Sequence, residues 1–103
     1  MGQADRIIFA VTGVTYDWPK SGTRCYGWYP HFELAEEAVY NNRGSLNEEG
    51  YYEWVVIEKI PEGVWRTAVD SAETWHHWED EDSKYVRIDK PGQFKSVSGW
   101  GMG

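Results

Sequence analysis

Two runs in this chain have the character of strands from the interior of a sheet. Residues 6–15 read Arg-Ile-Ile-Phe-Ala-Val-Thr-Gly-Val-Thr, and residues 51–60 read Tyr-Tyr-Glu-Trp-Val-Val-Ile-Glu-Lys-Ile. The first is β-branched and apolar on both faces, which predicts a central, buried strand. In the second, alternation predicts Tyr51, Glu53, Val55 and Ile57 on one face and Tyr52, Trp54, Val56 and Glu58 on the other. Pro61-Glu62-Gly63 ends that run as a turn.

The intervening residues predict one more strand and one helix. A turn-rich stretch at 16–22 leads into a strand at 23–29, and Trp18 is held extended by the proline that follows it. Alternation in that strand predicts Arg24, Tyr26 and Trp28 on one face and Cys25, Gly27 and Tyr29 on the other. Gly27, inside the strand, signals a bulge or a close approach. Pro30 opens the one clear helix, about 31–42, with Leu34, Ala35, Ala38 and Val39 as its apolar stripe. Glu33, Glu36 and Glu37 are expected to face outward, and Gly44 to serve as the C-terminal stop.

Past residue 63 the signals shorten. Residues 64–69 read as a short extended piece. Residues 74–78 and 84–88 flank the acidic stretch Glu79-Asp80-Glu81-Asp82-Ser83 and predict a hairpin. The tail ends Ser98-Gly-Trp-Gly-Met-Gly, an irregular segment held by Trp100. The expected fold class is α+β: a mainly antiparallel sheet of four to six strands, in the order β-β-α-β-(β)-β-β, with one helix on one face. At 103 residues, a single domain spanning 1–103 is expected.

Composition narrows the function. The chain carries a net charge of −7, which argues against duplex nucleic acid as a direct partner and favours a partner with a basic surface. Nothing approaches the roughly 20 apolar residues of a membrane span. The opening residues lack a secretory signal, and Arg6 stands where a myristoylation motif needs Ser or Thr. The lone Cys25 fits a reducing compartment, so a cytoplasmic location is expected.

Catalytic and metal chemistry find little support. His76 and His77 are adjacent on a strand, so they point to opposite faces and do not share an ion. The 79–82 stretch lacks the alternating ligands and the glycine of a calcium loop. No nucleophile–base spacing or phosphate-cradling loop is present. The expectation is a binding protein with no enzymatic activity, cofactor or metal.

The chain has 7 tryptophans and 7 tyrosines, residues that anchor interfaces at low entropic cost. Phe9, Phe32 and either Trp54 or Tyr51 are assigned to the core under the helix. The remaining aromatics and their charged neighbours are the candidate contact residues: Trp18, Arg24, Tyr26 and Trp28 from the first half, then Trp65 and Arg66. The late hairpin adds Trp75, His77, Trp78, Glu79, Asp80, Tyr85 and Arg87, and the tail adds Trp100. One use is docking on a host protein with a basic surface. The alternative is sequestering a nucleotide-like ligand stacked on an aromatic ring while arginine holds its phosphate. A small enzyme is a third class, and self-association into a homo-oligomer is compatible with the aromatic excess.

A further set of residues carries a resemblance. Gly27-Trp28-Tyr29, Phe32 with Ala35-Glu36-Glu37-Ala38-Val39, the strand from Tyr52 to Ile60 and then Glu62-Gly63 form one part of it. Trp78, Tyr85-Val86, Pro91, Phe94 and Gly99-Trp100-Gly101 complete it. This pattern, from about residue 24 to the end, resembles one that recurs in small uncharacterised bacterial and phage reading frames. In that family the place of His31 is usually Ser or Thr, so the helix cap here is weaker. The resemblance implies an accessory protein of a phage or other mobile element, of the kind that inhibits host defence. It carries no known chemistry.

Overall fold

The computed structural model describes residues 7–48, 50–61, 72–95 and 100. Strand β1 (Ile7–Thr15) and strand β2 (Thr23–Tyr29) are followed by helix α1 (Phe32–Tyr40) and a 3-10 turn (Arg43–Ser45). Strands β3 (Tyr52–Pro61), β4 (Ala72–Glu79) and β5 (Lys84–Ile88) come next, then a second 3-10 turn (Gly92–Phe94). The strands form one antiparallel sheet in the order β2-β1-β3-β4-β5. The fold is α+β, as the periodicity predicts. The extended piece expected at 64–69 lies outside the described residues.

Both faces of the sheet are covered, which is why β1 and β3 carry apolar residues on both sides. On one face Val11, Val55, Ile57 and Tyr85 pack with Ala35 and Val39 of the helix and with Leu46. Phe9 and Phe32 border this cluster as an edge-to-face pair 5.9 Å apart. On the other face Val14, Val56 and Trp75 meet Phe94 and Trp100, with Trp18, Trp54 and Ile88 around them. Phe94 is the hub: its ring centroid lies 5.3 Å from Trp18, 4.9 Å from Trp54, 5.1 Å from Trp75 and 5.2 Å from Trp100. The tail segment thus supplies a second cover in place of a second helix.

This cover changes the assignment of several candidate contact residues. Trp75, Tyr85 and Trp100 are buried core residues and present no contact surface. Tyr85 also donates its hydroxyl to the Tyr52 carbonyl at 2.6 Å. Trp18 and Trp78 are half-buried against the two clusters. Trp54 belongs to the face away from the helix, and Tyr51 is exposed.

Two irregularities in register decide the faces. In β2, Gly27 pairs with Val11 and Cys25 with Thr12, so Tyr26 is an extra, bulged residue. Directly opposed residues share a face. Arg24, opposite Gly13, therefore lies on the helix side, whereas Trp28, opposite Ala10, lies on the other. The expected Arg24-Tyr26-Trp28 row does not exist, because one inserted residue reverses the alternation beyond it. In β3, Trp54 pairs with Val14 and Tyr52 with Thr15, leaving Glu53 extra. Tyr52 is thereby turned to the helix side, its ring 5.7 Å from Tyr26. It sits so close over Gly13 that a Cβ there would lie 2.9 Å from the ring, so this position demands glycine.

The helix is attached by polar contacts as well as by its stripe. Ala35, Ala38 and Val39 are buried, but Leu34 is 43% exposed. Glu36, expected to face outward, instead accepts two hydrogen bonds from the Arg87 guanidinium at 2.8 and 2.7 Å and one from the Tyr40 hydroxyl at 3.0 Å. His76 Nε2 lies 3.0 Å from the same carboxylate, and its Nδ1 lies 3.3 Å from the Val55 carbonyl. These contacts draw the Glu36 side of the helix toward β4 and β5 and leave Leu34 at the margin. The left-handed position after the helix is taken by Asn42 as well as by Gly44.

Candidate binding surface

The antiparallel order brings three connections to one end of the sheet. They are the β1–β2 loop at 16–22, the segment 46–51 that leads into β3, and the β4–β5 turn at 80–83. Tyr16 and Tyr51 stand side by side here, edge to face at 6.2 Å, and are 60% and 38% exposed. The Tyr16 amide donates to the Tyr51 carbonyl at 3.1 Å, which fixes the two loops against each other. A rigid, exposed aromatic pair of this kind is a suitable interface anchor.

Carboxylates occupy the same end of the sheet. Asp17 and Glu48 come from the first two loops, Glu53 from the start of β3, and Glu79, Asp80, Glu81 and Asp82 from the hairpin. Several are held in place. Glu48 accepts from Arg24 at 3.1 Å and from the Tyr26 hydroxyl at 2.7 Å, and burial together with this carboxylate pushes the Tyr26 phenol up. Asp17 accepts from Ser21 at 2.7 Å, which lowers its pKa. Asp80 accepts from the Trp78 indole at 2.9 Å. Glu81 and Asp82 are exposed at the hairpin tip.

His77 clamps two of these acids. Its Nε2 is 2.8 Å from Glu53 and its Nδ1 is 2.9 Å from Glu79. Partial burial opposes a charge on the ring, but the two carboxylates outweigh it and hold the His77 pKa above its ordinary value. Its stabilising contribution is therefore complete below the unfolded value and lost as pH rises through the folded one. With Glu53→Gln and Glu79→Gln together, only desolvation remains, and the His77 pKa is expected to fall below the ordinary histidine value. Proton NMR of the imidazole checks this; a titration unchanged in the double variant would contradict the clamp.

His76 belongs to a different environment. Pairing with Val55 places it on the helix face, while His77, opposite Trp54, is on the other. It is fully buried, and burial pushes its pKa below the ordinary value although Glu36 pulls the other way. Among the described residues no group of three or more His, Cys, Asp or Glu is arranged to hold a metal ion.

Among the described residues, the arginines expected to hold a ligand's phosphate are engaged with carboxylates. The Arg24 guanidinium lies 4.8 Å from the Tyr26 ring centroid but is paired with Glu48. Arg87 is committed to Glu36. Trp65 and Arg66 lie outside the described residues. Of the sequence candidates, His77, Glu79 and Asp80 do gather at the acidic end, and Trp28 stays 60% exposed on the β2 edge. Tyr16, Tyr51, Glu48 and Glu53 were not indicated by motif or spacing. Their only signal was position beside turns, which does not say which turns meet.

No helix among the described residues is long and apolar enough to cross a membrane. The chain matches no protein-family model, no curated protein and no solved structure.

Proposed function

We propose that this protein is a non-catalytic binding module that docks the acidic, tyrosine-bearing end of its sheet onto a basic surface of a partner protein. The observation that carries this reading is the convergence of three connections that bring the Tyr16–Tyr51 pair and a set of carboxylates to one end of the sheet. The net charge of −7 supports it, because such a surface steers itself toward positive charge. A basic surface occupied this way is closed to phosphate. Inhibition of a nucleic-acid-handling host protein, in the service of a phage or other mobile element, is the use proposed for it.

The expected test result has two parts. Immobilised protein retains a partner from host lysate at low salt and releases it as ionic strength rises, since the carboxylate charges are screened. The variant Asp80→Asn/Glu81→Gln/Asp82→Asn retains less, and Tyr16→Ala/Tyr51→Ala weakens binding by about 2 kcal/mol or more, the scale of an interface anchor. All these positions are at the surface, so circular dichroism should show an unaltered fold. Capture that is indifferent to salt and to both variants would remove this reading.

A further inference from the structure

A second, separate feature lies on the helix side of the sheet at its β2 edge. A groove of about 400 Å³ opens there between β2, the end of α1 and the turn that follows it. Its origin is the bulge. Gly27 is the β2 residue opposite Val11, so the helix-side position there carries no side chain. Above it the helix presents only Ala38, and the turn contributes Gly44. Strand residues 26–29 form one wall, with Tyr26 and Tyr29 on the helix side and Trp28 turned to the other face, and Leu46 also lines the groove. Small residues on three elements therefore leave unfilled a space that a core would otherwise pack.

Arg43 lines the same groove, and its side chain is exposed. Arg24 and Arg87 are each paired with a carboxylate. Arg43 has no hydrogen-bond or ion-pair partner among the described residues. In a protein so rich in acid, an arginine left uncompensated beside an aromatic-walled groove is a ready anion contact. Its planar fork suits a carboxylate, which it can hold with two parallel hydrogen bonds. The volume falls in the range of small-molecule sites, roughly 300–1,000 Å³.

We infer that this groove is a binding site for a small, flat aromatic monocarboxylate, with the ring body between Tyr26 and Tyr29 and the carboxylate on Arg43. The site adjoins the acidic end of the sheet, because Leu46 begins the segment that leads into β3 and the Tyr26 hydroxyl donates to Glu48 at 2.7 Å, but neither Tyr16, Tyr51 nor the hairpin lines it. Occupancy by a second copy of the chain, edge to edge along β2, is the competing use of the same groove.

The test uses 2-naphthoate and its neutral isostere 2-naphthamide, titrated into the whole protein and followed by heteronuclear NMR. Naphthoate is expected to shift the amides of residues 26–29 and 43–46. Naphthamide should bind at least about tenfold more weakly, the loss of a charge-assisted pair. Arg43→Gln, at an exposed position, should leave the fold intact and abolish the preference for the acid over the amide. Ala38→Leu, which fills the groove, should weaken both. Equal binding of acid and amide to the wild type, shifts confined to other residues, or no binding at millimolar naphthoate would each overturn the proposal. So would shifts at 26–29 that follow protein concentration without any ligand, because they would assign the groove to self-association.

Discussion

Phe94→Ala is expected to destabilise the protein by about 3–5 kcal/mol, the usual range for truncating a buried phenylalanine. Phe94 is only 1% exposed and touches four tryptophan rings, from the β1–β2 loop, β3, β4 and the tail. Removing it deletes the transfer free energy of its ring and leaves a cavity whose walls are large, stiff indoles that collapse poorly. A chain of 103 residues has a stability of roughly 5–15 kcal/mol, so the loss is a large share of the total. The melting temperature should fall by tens of degrees, at about 4–8 °C per kcal/mol for a domain of this size. Urea denaturation followed by circular dichroism measures it, and indole fluorescence should move to the red as the tryptophans meet water. Phe94→Leu, which keeps most of the volume, should lose less than half as much. A loss below about 1 kcal/mol for the alanine variant would show that this segment does not cover the sheet.

Glu36→Gln is the second large effect, expected at about 2 kcal/mol near neutral pH. Burial works against the Glu36 charge, but Arg87, His76 and Tyr40 outweigh it and bring the carboxyl from 4.5 down to about 2. Because the folded value lies below the unfolded one, the contribution is complete above pH 4.5 and fades as pH falls toward 2. His76 acts in the same direction. Its folded value is lowered by burial, so the unfolded chain takes up the proton first and stability falls as pH drops below 6.5. The Arg87 side chain is 54% exposed, so losing its partner leaves it solvated, and this limits the penalty. The difference in stability between wild type and Glu36→Gln should therefore shrink steadily between pH 5 and about 2. A difference that stays constant over that interval would refute the assignment.

Both effects sit at places where the pattern of residues pointed elsewhere. Trp75 and Trp100 read as surplus aromatics because the helix alone could not cover them. Once the tail folds over the second face, they have a core of their own around Phe94. Glu36 reads as an outward residue of an amphipathic helix, next to Glu37 and off the Leu34-Ala35-Ala38-Val39 stripe. Arg87 and His76, 51 and 40 residues away, make it the attachment point of that helix.

The strands, the helix and the late hairpin follow from short-range order: β-branched runs, a 3.6-residue apolar stripe, and turn residues between them. The α+β class follows too, because one amphipathic helix and several strands admit few layered arrangements. Side-chain faces were readable only as far as the alternation was unbroken. One extra residue at Tyr26 and one at Glu53 moved Trp28 and Tyr52 to the opposite sides of the sheet. Such bulges depend on pairing with β1, which no local pattern records. The gathering of Tyr16, Tyr51 and the acidic hairpin at one end, and the groove left open beside Gly27, depend on strand order and register. The chain by itself determined what each segment is, because dihedral preference and periodicity act over a few residues. Only the tertiary structure decided which segments meet, because those contacts join residues tens of positions apart and are selected by the packing of the whole.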